Sequence, residues 1–174
     1  QWTSEGQWET TSGEGLDGPA NLVLAFGSRI ILSDAARYEE LRSFYPDAHI
    51  LTGSTSGEIL GIEVSDDTIA ATAIEFASTR LQTSTLRISE QENIFEAGKN
   101  LASELLSDDL VHVFVLSDGL QVNGSELVKG MSEALPDSVS VTGGLAGDAA
   151  NFEKTLVGMD AVPSDGNIVG IGLY

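Results

Sequence analysis

The stretch ILTGSTSGEI, from Ile50 to Ile59, decides how this chain is expected to fold. It begins as an apolar run of strand length and continues through Gly53, three small hydroxyl residues and Gly57 to Glu58. Backbone N–H groups in such a turn form a concave donor site, and glycine lets the main chain approach a ligand closely. The stretch therefore predicts a buried strand whose carboxyl end is a small-ligand loop.

Two further apolar runs end in the same way. Residues 111–116 lead into Asp118 and Gly119, and residues 139–142 lead into a glycine-rich segment that ends at Asp148. In open α/β sheets, ligands bind outside the carboxyl ends of the strands. Either the three strand ends form one composite binding site, or they are only the turns that any fold of this type needs.

The remaining apolar periodicities predict an α/β (α+β) fold. Helices are expected to start at the capping residues Ser33 or Asp34, Ser89 and Asn123. Further strands are expected at 21–26, 61–64, 68–76, 81–88, 154–159 and 168–174. Several of these strands follow one another without a helix, so we expect antiparallel hairpins, one of them between the last two strands. The predicted architecture is a mixed sheet, or two stacked sheets, with about three helices packed outside.

The composition fits one acidic globular domain. A chain of 174 residues, 41% of them hydrophobic, can bury a core of its own. Asp and Glu number 27 against 8 Lys and Arg, which gives a net charge of −19. A field of that sign repels nucleic acid and anionic membranes, so neither is an expected partner. The absence of cysteine excludes disulfides and thiolate chemistry.

Residues 1–20 differ from the rest of the chain. They are rich in Gly, Ser, Thr and Glu and lack periodicity, which indicates a mobile leader ahead of a domain at 21–174. Trp2 and Trp8 do not fit this interpretation, because tryptophan is costly to leave in water. The sequence leaves open whether they dock on the domain or on a neighbour.

Three motifs resemble the N-terminal half of the FIST family. They are S-T-S-G-E-I at 54–59, D-G-L-x-x-N at 118–123 and G-G-x-A-G-D at 143–148, in the family's order and spacing, and the likeness runs from about Asn21 to Tyr174. The resemblance implies a cytoplasmic sensory domain of signal-transduction proteins that binds small ligands such as amino acids and is not a known enzyme.

Two departures from the family's pattern accompany this resemblance. Family members often carry a Gly-Cys pair where this chain has Thr52 and Gly53, so the ligand chemistry is expected to differ in detail. No sequence remains after Tyr174 for the family's C-terminal half. We therefore expect this domain to belong to a longer protein, with the FIST C-terminal domain or a signalling output domain as its partner.

The residues of these motifs are the candidate ligand contacts, namely Ser54, Thr55, Ser56, Glu58, Asp118, Asn123, Gly143, Gly144 and Asp148. An amino-acid ligand presents an ammonium and a carboxylate. Asp118 or Asp148 can pair with the ammonium, while loop amides such as that of Gly143 can receive the carboxylate. A structural role is the alternative for some of them, since Asn123 can cap a helix and Glu58 can hold its own loop.

Catalysis, metal binding and a scaffold role are the rival interpretations. Residues 53–57 superficially resemble a nucleophile elbow, so a hydrolase that uses Ser54 or Thr55 is one alternative. Such a nucleophile needs a base, and neither His49 nor His112 lies at an obvious strand end. Zinc needs clustered His or Cys, and the carboxylates lack a calcium-loop spacing. We expect a non-enzymatic binding domain without metal or cofactor; an interaction scaffold for the missing C-terminal half is the third alternative.

Overall fold

Two four-stranded sheets stack face to face in the structure, a computed structural model that describes residues 1–3, 5–10 and 18–174. The strands are β1 (Leu22–Ser28), β2 (His49–Thr55), β3 (Glu58–Leu60), β4 (Glu63–Ser65), β5 (Ile69–Ile74), β6 (Leu81–Arg87), β7 (His112–Ser117), β8 (Ser140–Leu145), β9 (Val157–Met159) and β10 (Asn167–Leu173). The helices are α1 (Arg29–Leu32), α2 (Ala35–Phe44), α3 (Ile94–Leu105) and α4 (Gly124–Ala134). None of these described helices is long and apolar enough to cross a bilayer.

Strand order places the parallel pairs beside the predicted binding loops. The first sheet has the order β5-β1-β2-β9 and the second β6-β10-β7-β8, while β3 and β4 form a separate hairpin. In the first sheet β1 and β2 are parallel, with Ala25 opposite Thr52, and in the second β7 and β8 are parallel, with Val113 opposite Val141. Parallel neighbours end at the same edge of a sheet, so the loops after β1 and β2 lie side by side.

Three apolar layers hold the sheets and helices together. Leu51 and Val169 lie in the layer between the two sheets. On the outer face of the first sheet, α2 packs through Leu41. On the outer face of the second sheet, α3 packs through Leu101 and α4 through Met131. The order of layers is helix, sheet, sheet, helix, which confirms the predicted fold class and places helices on both outer faces.

Two of the three predicted helix starts are confirmed. The Asp34 side chain accepts a hydrogen bond from the first turn of α2, and the Asn123 side chain does the same for α4. The capping box predicted at Ser89 is wrong, because that residue lies in a 3-10 turn and Asn93 caps α3 by accepting from the Glu96 amide at 2.9 Å. Asn93 and Glu96 have the three-residue spacing of a capping box and lie closer to the apolar face of α3 than Ser89 does. The helix therefore starts at this second capping signal.

The predicted hairpin between the last two strands is wrong. β9 pairs with β2 in the first sheet, whereas β10 lies between β6 and β7 in the second. The pairs β5 and β6, and β8 and β9, also divide between the two sheets, so consecutive strands change sheet three times. Apolar periodicity identifies a strand but carries no information about its partner.

The described part of residues 1–20 contacts the domain. Trp2 is buried and exchanges two backbone hydrogen bonds with Ile69, of 2.9 and 3.0 Å. The Trp8 Nε1 donates to Glu40 at 2.8 Å, and the Trp8 ring meets Phe44 edge-on. Both tryptophans therefore dock on the domain. The prediction that residues 1–20 form a mobile leader also covers residues 4 and 11–17, which lie outside the described residues.

Candidate functional site

A cleft of about 300 Å³ opens where β1 and β2 end. Its walls come from the junction of β1 and α1, the loop after β2, and the segments that follow β4 and β8. The lining residues are Ser28, Arg29, Ile30, Thr55, Ser56, Gly57, Glu58, Asp66, Asp67, Asp148, Ala149 and Asn151. The cleft thus lies at the carboxyl ends of two parallel strands, where α/β folds bind their ligands.

Glu58 is a buried carboxylate in the wall of this cleft, with 2% of its surface exposed. It accepts hydrogen bonds from the Thr55 hydroxyl at 2.6 Å, the Thr68 hydroxyl at 3.0 Å and the Thr68 amide at 3.2 Å. All three donors are neutral, and none of the ion pairs among the described residues includes Glu58. A buried anion without a cation is costly, so a cationic group in the cleft would stabilise it.

Arg29 is the cation among the lining residues. Its Nε donates to Asp148 Oδ1 at 2.6 Å, and its Nη2 donates to Glu153 at 3.0 Å. The Arg29 side chain remains 21% exposed, whereas that of Asp148 is almost fully buried. The carboxylate of Asp148 therefore fixes a partly exposed guanidinium at the edge of the cleft.

Asp148 is held as an anion by its surroundings. Burial raises its pKa, but the amide of Lys154, the guanidinium of Arg29 and the amide of Glu153 outweigh burial and hold the pKa at about 2. The two amides donate to Oδ2 at 3.0 and 2.9 Å. Since the guanidinium of Arg29 already compensates the charge of Asp148, this carboxylate positions Arg29 and needs no ligand ammonium.

Ser54 lies beneath the cleft and not in its lining. Its hydroxyl donates to the Gly147 carbonyl at 2.7 Å and accepts from the Leu156 amide at 2.8 Å. The Gly147 amide in turn donates to the Ser54 carbonyl at 2.8 Å. These bonds fasten the end of β2 to the segment after β8, and so they bring Asp148 to the hydroxyl loop.

The domain that contains this cleft matches a known family. A family model, described as the FIST N domain, matches residues 21–174. The chain belongs to the FIST family. FIST domains are sensory domains of signal transduction, so a cleft in this domain is a candidate site for the signal. A search of curated proteins finds no match to the chain.

Asp118 lies outside the cleft of the FIST domain. Its buried carboxylate accepts from the amides of Leu120 and Gln121 at 2.8 and 2.9 Å, and from the amide of Gly166 at 2.9 Å. Burial raises the pKa of Asp118, but these backbone donors outweigh burial and lower it. Asp118 therefore closes the turn after β7 and holds the loop before β10.

Three further predicted contacts lie elsewhere in the FIST domain. Asn123 caps α4 by accepting from the amides of the first turn. Gly143 and Gly144 belong to β8, an edge strand of the second sheet. Gly143 has a φ of +151°, and a Cβ there would lie 1.7 Å from the Val115 carbonyl oxygen. A close approach between neighbouring strands explains this glycine.

The cleft of the FIST domain is thus lined by some of the predicted ligand contacts. Thr55, Ser56, Glu58 and Asp148 line it, whereas Ser54, Asp118, Asn123, Gly143 and Gly144 do not. Sequence analysis missed the other polar lining residues, which are Ser28, Arg29, Asp66, Asp67 and Asn151. Arg29 had a usable signal, because it lies three residues after the apolar run at 21–26 and is among only 8 basic residues in the chain.

The histidines of the FIST domain have partners away from the cleft. His49 Nδ1 lies 2.7 Å from Asp160. The two ring nitrogens of His112 lie 2.6 Å from the Ser140 hydroxyl and 2.8 Å from the Thr142 hydroxyl. Neither histidine is therefore placed to act as a base for the hydroxyl loop. Within the described part of the chain, no three His, Asp or Glu side chains are arranged to share a metal ion.

Proposed function

We propose that this FIST N domain is a cytoplasmic sensor that binds a small zwitterion of the amino-acid type in the cleft. One observation carries the proposal: Glu58, a buried carboxylate without a cationic partner among the residues that the structure describes, lines the same 300 Å³ cleft as the guanidinium of Arg29. An amino acid carries an ammonium and a carboxylate close together, so each charge has an opposite charge available in the cleft.

The ammonium would bind on the acidic side of the cleft. Glu58, Asp66 and Asp67 line this side, and the Ser28 hydroxyl donates to Asp67 at 3.1 Å. An ammonium donates three hydrogen bonds, which suits a wall of carboxylates and hydroxyl oxygens. The partner proposed for the ammonium is therefore Glu58, and neither Asp118 nor Asp148 is needed for that role.

The ligand carboxylate would bind at Arg29. A guanidinium has five N–H donors, and the bonds to Asp148 and Glu153 use two of them. The Ser56 hydroxyl lines the same cleft and can add a donor. Because Asp148 holds the guanidinium in place before a ligand arrives, little side-chain entropy would be lost on binding.

The proposal is tested by calorimetry on a matched pair of variants. A thermal-shift screen of amino acids, small organic acids and divalent cations first identifies a ligand; at 100 times the dissociation constant, binding stabilises a protein by about 2.7 kcal/mol. Glu58→Gln removes the buried charge without changing size, and we expect it to weaken amino-acid binding about tenfold or more. Glu63→Gln removes the same charge from an exposed residue outside the lining and should leave affinity unchanged.

Two results would contradict the proposal. One is equal loss of affinity in the Glu58 and Glu63 variants, because general acidity and not the cleft would then attract the ligand. The other is a screen in which no amino acid stabilises the protein.

One contact favours an alternative function, in which the domain is a hydrolase. The Thr55 hydroxyl donates to Glu58 at 2.6 Å, and a carboxylate in that position can act as a base. We propose binding without turnover, because the Ser54 hydroxyl is buried and bonded to a carbonyl and no histidine lines the cleft among the described residues. Hydrolysis of p-nitrophenyl esters by the native protein that is lost in Thr55→Val would favour the hydrolase instead.

A further inference from the structure

The hairpin of β3 and β4 presents an apolar surface to solvent. Ile59, Ile62 and Val64, here called the hairpin patch, are 71%, 101% and 74% exposed. Ile59 and Val64 lie directly opposite each other across the two strands, and Ile62 lies in the turn that joins them. Three large aliphatic side chains at one tip are an unusual concentration of apolar surface for a protein that is this acidic.

The hairpin patch faces away from the cleft. Successive side chains in a strand point to opposite faces. Glu58 points to Thr55 and Thr68 in the cleft wall, so its neighbour Ile59 and the facing Val64 point to the other side. A movement of the hairpin over the cleft would therefore leave these aliphatic side chains in water.

The surroundings of the patch are acidic. Glu63, Asp66 and Asp67 lie in the same segment, and the sequence contains no Lys or Arg between Arg42 and Arg80. The whole chain carries a net charge of −19, so a second copy or an anionic bilayer would be repelled from this surface. A partner with basic residues on both sides of an apolar stripe would be attracted to it.

We infer that the hairpin patch docks a basic amphipathic helix of a partner protein. The apolar stripe of such a helix would cover Ile59, Ile62 and Val64, while its flanking Lys or Arg side chains meet the nearby carboxylates. A two-stranded hairpin outside both main sheets has little stability of its own, and docking would supply packing for its exposed face. Asp66 and Asp67 belong to both surfaces, but Ile59, Ile62 and Val64 lie outside the cleft lining, so the test of docking needs no ligand.

A designed peptide provides the probe. A fluorescent leucine–lysine peptide about 18 residues long, with leucine at helical spacing, is titrated with the protein by anisotropy. A peptide of the same composition in scrambled order is the control for charge alone. We expect the ordered peptide to bind more tightly than the scrambled one, and its affinity to fall as salt is raised.

Substitutions then locate the binding surface. Ile59→Ser/Ile62→Ser/Val64→Ser should weaken binding of the ordered peptide by about tenfold or more. Leu106→Ser/Val111→Ser/Val128→Ser removes three exposed apolar side chains elsewhere and should leave binding unchanged. Glu63→Lys should weaken binding through charge repulsion. If the first triple variant does not keep the native melting temperature, Ile62→Ser at the fully exposed turn position gives the same comparison.

The inference is overturned by any of five results. Equal affinity for the scrambled peptide, or unchanged binding by the hairpin variants, would mean that net charge alone attracts the peptide. Absence of binding would mean that the patch does not accept a helix. Self-association of the native protein that the hairpin triple variant abolishes would assign the patch to a second copy. Binding to zwitterionic vesicles that the same variant abolishes would assign it to a bilayer.

Discussion

The contact between Arg29 and Asp148 makes the stability of the fold depend on pH. The pKa of Asp148 is about 2 in the folded protein, below its ordinary value of 3.8, so folding favours the ionised carboxylate. Its contribution to the free energy of unfolding is complete above about pH 4 and is lost as the pH falls from about 4 to about 2. We expect Asp148→Asn to be less stable than the native protein at pH 7, with the difference shrinking toward pH 2.

Urea unfolding of the two proteins at several pH values measures this difference. Comparison with the Asn variant removes the effect of the other carboxylates, which are protonated in both proteins over the same range. A stability difference that stays constant from neutral pH to about pH 2 would show that the charge of Asp148 is not what the fold uses.

Single residues also show how far the sequence predicts the candidate site. Asp148 ends the glycine-rich segment after residues 139–142, and Glu58 ends the one after the apolar run that begins at Ile50, so their place near strand ends could be inferred from spacing. Ser54 follows the same run, but its burial depends on bonds to Gly147 and Leu156 from a distant part of the chain. Local sequence contains no signal for such a bond, which is why Ser54 was expected to contact a ligand and is instead a structural residue.

At the level of elements, the start of α4 is tested by its cap. The Asn123 side chain accepts from the amides of Ser125 and Glu126 at 3.1 and 3.3 Å. We expect Asn123→Ala to lower the free energy of unfolding by about 1 kcal/mol, and Asn123→Asp to restore it because aspartate accepts the same bonds. Chemical denaturation measures both effects.

The same variants separate the two roles considered for Asn123. Since Asn123 does not line the cleft, Asn123→Ala should leave the affinity for any ligand found in the screen unchanged. A loss of affinity without a loss of stability would return Asn123 to the binding site and contradict the capping role.

Elements also mark the limit of what sequence could predict about the fold. Apolar runs placed the strands of the two main sheets, and polar cap residues placed two of the helices correctly, but the strand predicted at 61–64 covers the turn between β3 and β4. Pairing was not accessible, because β9 and β10 are consecutive in the chain yet belong to different sheets. Asp66 and Asp67 reach the cleft only because the hairpin of β3 and β4 brings the chain back to the end of β2. No local sequence pattern predicts this change of direction.

For the molecule as a whole, the net charge of −19 predicts a dependence of stability on salt. Like charges repel across a compact acidic surface, and salt shortens the range of that repulsion from about 10 Å at 0.1 M to about 3 Å at 1 M. We expect the melting temperature to rise as KCl is increased from low to molar concentration. Scanning calorimetry over a KCl series measures it, and a flat or falling melting temperature would remove charge repulsion as a determinant of stability.

The central position of β10 has a consequence for synthesis of the protein. This strand, at residues 167–173, lies between β6 and β7, and β9 covers the free edge of β2. While the ribosome is still making the preceding residues, β6 therefore lacks the strand with which it pairs. Until residues 167–173 emerge, β6 has no strand partner and β7 pairs only with β8, which leaves apolar strand surface exposed in the nascent chain. The cleft takes Asp148 from the same late part of this domain, so it is completed only after that part has left the ribosome.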